Sequence, residues 1–160
     1  MRWNALEKEV CSVARAVSVI GDRWTLLVLR DCFLRVRRFE AFQERLGITR
    51  HILADRLRKL VKAGVLERAL YQSNPRRFEY RLTRKGLDLH PLLMSLVHWG
   101  DTHMAGRKGR PVLHRHVACA HDFDPVLTCS ECGEEVKATD VRVRPGPGAP
   151  PNILPKEISS

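Results

Sequence analysis

The 160-residue chain has no run of 18 apolar residues, which excludes a helix able to span a membrane. Its first residues, Met1-Arg2-Trp3-Asn4, lead into charged positions instead of an apolar stretch. A secretory leader is therefore not expected, and a cytoplasmic location is. A disulfide framework is missing as well. Five cysteines, an odd number, in a chain without an export signal read as reduced thiols, metal ligands or sensors. There is no Gly-rich phosphate loop, no nucleophile elbow and no acid–base pair beside the candidate metal ligands, so no enzyme is expected. No internal repeat is apparent.

Acidic charge is scarce, but only in part of the chain. Through residue 110 there are 23 Lys+Arg against 11 Asp+Glu; from 111 onward there are 5 against 7. The net charge of +10 thus belongs to the first two-thirds. A polyanion is the natural partner there, because neutralising phosphates releases counterions.

The apolar spacing predicts a helix over 11–20 ending at Gly21, and a second over 23–33 capped by Asp22. A third is expected over 39–46, stopped by Gly47, and a fourth opens at Thr49 and ends at Gly64. The period then changes to that of strands: 65–71 and 78–82 form a hairpin turning at Ser73-Asn74-Pro75. Thr83 caps a long helix over 84–103, with a kink expected at Pro91. Four helices, the third and fourth meeting at a helix-turn-helix joint at 47–49, a two-stranded wing and a closing helix make a mainly α fold of winged helix-turn-helix type. Residues 1–105 are read as this DNA-binding and dimerisation domain, 106–140 as a linker and zinc-ribbon-like hairpin module, and 141–160, with five of the nine prolines, as a disordered tail.

On a helical wheel of the fourth helix, Leu53, Leu57, Leu60 and Val61 share one face. The opposite face carries His51, Asp55, Arg58, Lys59 and Lys62, with Thr49 and Arg50 in the first turn. This is the pattern of a recognition helix offered to the major groove. Arg50 and His51 are expected at base edges, Arg58 and Lys62 at phosphates, and Arg76 and Arg77 of the wing in the minor groove or on the backbone. Ile52 sits towards the exposed side, where it could meet a thymine methyl or pack on a neighbouring helix.

Five blocks carry a resemblance: Cys11-Ser-Val-Ala-Arg15, Ile20-Gly-Asp-Arg-Trp-Thr-Leu-Leu-Val-Leu-Arg30, Arg38-Phe39, Leu53-Ala-Asp-Arg-Leu-Arg-Lys-Leu-Val-Lys-Ala-Gly64 and Tyr80-Arg-Leu-Thr-Arg-Lys-Gly86. Across residues 8–104 the chain resembles the HxlR-type regulators, relatives of the MarR group. The resemblance implies a homodimer built from the N-terminal and long C-terminal helices, binding a pseudo-palindromic operator on double-stranded DNA; the function expected is that of a DNA-binding regulator, a repressor. It departs from the family at Ser12, where Pro usually follows the first-helix Cys, and at Arg37, where Gly is common. It also places Cys11 at the position used for thiol sensing in some of these regulators. The alternative reading of the function is therefore a redox- or electrophile-sensing regulator, switched through Cys11 or the C-terminal cysteines. A buried, inert Cys11 is the plainer alternative, and Cys32 is read as core.

His116-Val-Ala-Cys119 is followed by Cys129-Ser-Glu-Cys132-Gly133. Two ligand pairs at this spacing can present four donors to a structural Zn²⁺, with His121 and His114 competing with His116 for the fourth place. A metal-free segment and a redox dithiol at Cys129 and Cys132 are the alternatives. His90, His98 and His103 recur along one helix as surface or interface residues.

Overall fold

A computed structural model describes residues 6, 8–151 and 153–154. The first four residues, read above for a leader, and positions 152 and 155–160 of the tail lie outside the described residues. The chain divides into two compact units, Met1–Leu93 and Met94–Ser160.

The first unit begins with α1 (Ser12–Ile20), α2 (Arg23–Phe33), α3 (Phe39–Leu46) and α4 (Arg50–Lys62). Their boundaries follow from the caps. Asp22 accepts from the backbone N–H of Trp24 at 3.0 Å and of Thr25 at 3.2 Å, which starts α2. Gly47, at φ 61°, supplies the left-handed residue that stops α3 and frees the chain to turn into α4. The wing follows as an antiparallel pair, β1 (Leu66–Gln72) and β2 (Arg77–Leu82), in register from Leu66↔Leu82 to Leu70↔Phe78. A bulge between Leu70 and Gln72 precedes the turn. Arg38 bridges to Glu79 and the Arg37 carbonyl accepts from the Tyr80 N–H at 2.8 Å, so the stretch before α3 joins the wing.

One core serves the helices and the wing. Val28 and Leu29 of α2, Phe42 of α3, Leu53, Leu57 and Leu60 of α4, and Val65 and Leu66 leading into β1 are each at most 2% exposed. Each such side chain contributes about 1.5–3 kcal/mol by leaving water. Ile52 packs against this cluster, half-buried, and Cys32 lies within it.

The expected single helix over 84–103 is instead broken into α5 (Arg84–Leu87) and α6 (His90–Met104). Pro91 has no N–H to give and its ring would crowd the carbonyl four residues back, that of Leu87, where α5 ends. In the first turn of α6 the same proline is tolerated. What was expected as a kink is therefore an interruption at Asp88-Leu89.

The second unit has almost no core. Among the described residues from 94 onward, Met94 is the one buried apolar side chain, while Val117 is 92% and Leu127 70% exposed. Its regular structure is β3 (Arg115–His116) paired with β4 (His121–Asp122), and a second narrow hairpin closed by the bridge Thr128↔Glu135. Arg110, in the stretch expected as linker, holds Asp124 at 2.6 and 3.1 Å, with His98 Nδ1 at 3.4 Å from the same carboxylate. The Arg110 hydrogen bond draws the Asp124 carboxyl below the usual carboxylate range. Residues 141–151 form turns but no helix or strand. Among the described residues no helix is long and apolar enough to cross a membrane.

Candidate nucleic-acid interface

The face of α4 that looks outward is fixed by the face that cannot. Leu53, Leu57 and Leu60 are fully buried, which leaves Arg50, His51, Arg58, Lys59 and Lys62 exposed. Thr49 caps the helix, its hydroxyl accepting from the Ile52 N–H at 3.4 Å. The N–H groups of the first turn are left without helical partners, and the positive end of the helix dipole adds to the side chains there. The Arg50 guanidinium stacks 4.7 Å from the Phe39 ring centroid, so the first residue of α4 is steadied by the first residue of α3.

Asp55, expected on the same face, is half-buried and engaged within the helix. It pairs with Arg56 at 2.9 Å, Lys59 at 3.2 Å and Arg58 at 3.7 Å. A carboxylate so placed ties together three cations on this face.

In the wing, Arg76 sits in the turn and Arg77 opens β2, both exposed. Phe78 forms a platform for two guanidiniums, Arg68 at 4.1 Å and Arg76 at 5.7 Å. Arg38 lies 4.8 Å over Tyr71. Arg38 and Arg68 were not singled out from sequence. Their aromatic partners lie 33 and 10 positions away in sequence, so no local signal marked them.

The ties that hold α4 were not foreseen, although Asp22 and Thr83 were named as caps. Asp22 caps α2 and also binds Arg56 of α4 at 2.8 Å. Asp31, fully buried on α2, is held by Arg30 at 2.9 Å and by Arg45 of α3 at 3.3 Å. A buried carboxylate persists only with such partners. Its sequence signal was an acid three residues after Val28, on the apolar stripe of α2. The Leu-Thr-Arg-Lys-Gly block locks the other end of α4. The Thr83 hydroxyl donates to the Gly64 carbonyl at 2.6 Å, Lys85 Nζ donates to the Ala63 carbonyl at 2.8 Å, and Gly86 has no room for a Cβ against the Val65 carbonyl.

The cysteines fall in three settings. Cys11 is exposed at the N-cap of α1, its carbonyl accepting from the Arg15 N–H at 3.1 Å. Cys32 is buried, and burial with the neighbouring Asp31 pushes its thiol up to about 12, which keeps it protonated and inert. In the second unit His116 Nδ1 lies 3.3 Å from Cys119 Sγ. The Cys129 sulfur receives the backbone N–H groups of Cys132 and Glu131 and the Cys132 thiol, which lower its pKa. Among the described residues no three His, Cys, Asp or Glu side chains stand gathered as one metal-holding group. His121 lies across the β3–β4 ladder from His116, and the His114 carbonyl accepts from the Phe123 N–H.

Residues 19–108 match the model of the HxlR-like helix-turn-helix family. An uncharacterized HTH-type transcriptional regulator of Mycobacterium tuberculosis is 47% identical over 137 residues, covering 86% of this chain and 87% of that protein. That alignment is longer than the winged unit, so it extends into the second. Among solved structures, PA1607, a candidate transcription factor, superposes with a TM-score of 0.80 at 35% identity, over 88% of this chain and 98% of its own. The redox regulator HypR in its oxidized form gives 0.53 at 29% identity, over 58% of this chain and 97% of its own. With its recognition-type helix, basic wing and matched sequence, the chain belongs to the HxlR-like helix-turn-helix family of transcriptional regulators.

Proposed function

We propose that the chain is a homodimeric repressor that reads a pseudo-palindromic operator with α4 in the major groove. The carrying observation is the division of α4 into a fully buried leucine face and an exposed face led by Arg50 and His51. Arg50 presents a rigid fork suited to guanine O6 and N7, and the stack on Phe39 limits its motion. Arg58 and Lys62, farther along, suit phosphates. In a selection of binding sites from random duplex, Arg50→Ala is expected to relax preference at one position per half-site, worth about 1–3 kcal/mol. Lys62→Ala is expected to weaken all sequences alike and to lower the salt slope by about 1. If both variants select and bind like wild type, α4 is not the reading element.

Dimerisation is supported by apolar side chains left in water on the terminal helices. Leu92, Leu96 and Trp99 of α6 repeat at helical spacing with exposures of 43, 46 and 59%, and Val13 of α1 is 70% exposed. A stripe of this kind is what a second copy would cover. Trp99→Glu is expected to give a monomer in sedimentation equilibrium and to lose operator binding. A Trp99→Glu protein that stays dimeric would exclude α6 as the interface.

A second reading is supported by the exposure of Cys11 and by the likeness to a redox regulator. In it, oxidation of Cys11 alters operator affinity. Treatment with diamide should then change binding by the wild type but not by Cys11→Ser. An equal response in both removes Cys11 from the account.

A further inference from the structure

The second unit lacks the means to hold its shape. It has one buried apolar residue among those described, two strands of two residues each, and large apolar side chains in water. A chain segment of this kind requires some other source of folding energy.

Its two hairpins are copies of one another, offset by thirteen residues. In the first, Arg115 pairs with Asp122; in the second, Thr128 pairs with Glu135. The Ala120 N–H donates to the His116 carbonyl at 2.8 Å, and the Gly133 N–H to the Cys129 carbonyl at 2.9 Å. The Phe123 N–H donates to the His114 carbonyl, and the Val136 N–H to the Leu127 carbonyl. The residue that closes each turn is left-handed: Ala120 at φ 57° and Gly133 at φ 76°. Ala120 adopts this region at a cost of about 1–3 kcal/mol, so the turn shape is imposed even without glycine. Under this superposition His116 falls on Cys129 and Cys119 on Cys132. The two soft donors of each turn are therefore in equivalent places, and His121 and His114 are not.

We propose that these paired turns are the two halves of a structural zinc site, with His116, Cys119, Cys129 and Cys132 as its four ligands. Three thiolates and an imidazole make a closed tetrahedral set of the kind that holds zinc for structure. A redox dithiol would account for Cys129 and Cys132 alone, whereas the duplicated geometry includes His116, which has no disulfide chemistry. The two pairs are not already gathered into one group. The ion must therefore draw the hairpins together across the short link Asp124-Pro125-Val126, and its binding energy becomes folding energy. Coordination converts the three thiols to thiolates and releases their protons to solvent. The inference does not depend on DNA binding.

The test uses the full, reduced chain. Elemental analysis after dialysis is expected to give about one zinc per chain, as four ligands make one closed site. Titration of the demetallated chain with Co²⁺ should saturate at one equivalent, with thiolate charge-transfer bands and the d–d absorption of a tetrahedral ion. Cys119→Ser, Cys132→Ser and His116→Ala should each lose the stoichiometric metal, whereas His121→Ala and His114→Ala should keep it. Failure of the wild type to take up either ion, or an octahedral Co²⁺ spectrum, overturns the site. Retention in Cys119→Ser or His116→Ala overturns the joining of the two hairpins. Because the cobalt titration uses wild type, it stands even where a variant fails to fold.

Discussion

Raising the salt from about 50 to about 200 mM is expected to weaken binding to any duplex by about 10³–10⁵-fold, the loss found when ~6–10 phosphates are neutralised. The basic residues that would make these contacts are exposed: Arg58, Lys59 and Lys62 on α4, and Arg68, Arg76 and Arg77 on the wing. Lys59 and Arg58 are partly satisfied by Asp55, at 3.2 and 3.7 Å, so they count for less than their formal charge. In the proposed dimer, two protomers on one operator would bring the total into the stated range. Fluorescence anisotropy with labelled duplex gives the slope of log affinity against log salt directly. A slope near zero would mean that the excess of cations in the first 110 residues is mere solvated surface, and the interface described above would fall.

Leu57→Ala should destabilise the winged unit severely, by about 2–5 kcal/mol. Leu57 is fully buried, flanked on α4 by Leu53 and Leu60 and set in the same cluster as Val28, Leu29 and Phe42. Truncation removes transfer energy and leaves a cavity that three helices meet around and cannot easily collapse. Against a typical domain stability of about 5–15 kcal/mol, such a loss is severe. Urea unfolding at equal slope would measure it, with exposed Lys59→Ala as a neighbour expected to stay within about 0.5 kcal/mol. If Leu57→Ala costs no more than that control, the inward face of α4 has been assigned wrongly, and with it the outward one.

Much of the winged unit was legible because its signals are local. Asp22 before Arg23, Gly47 after Leu46 and Thr49 before Arg50 each mark a boundary through a hydrogen bond or a left-handed residue, and α2, α3 and α4 start and stop there. The leucine period of α4 named its buried face correctly. The break at Asp88-Leu89 was read only as a kink, because the pattern shows where Pro91 is but not whether a new helix will nucleate behind it. Asp31 left only a faint mark, an acid on the apolar stripe of α2, for a different reason. Its burial depends on Arg45, fourteen positions away on another helix, and composition does not reveal such pairs. In the second unit the Cys and His spacing could be seen but the duplication could not. The two turns share a cysteine and little else in sequence, and their likeness is carried by backbone hydrogen bonds.

Asp22 spends one carboxylate on two tasks. Its Oδ1 closes the first turn of α2 and also meets Arg56 of α4. The start of one helix and a charged tie to another thus share a single atom. Amide protons at Trp24 and Thr25, slow to exchange while the cap is closed, then become reporters of how firmly α4 is aimed. The corner between α1 and α2 thus touches α4 at a charged contact as well as through the leucine core.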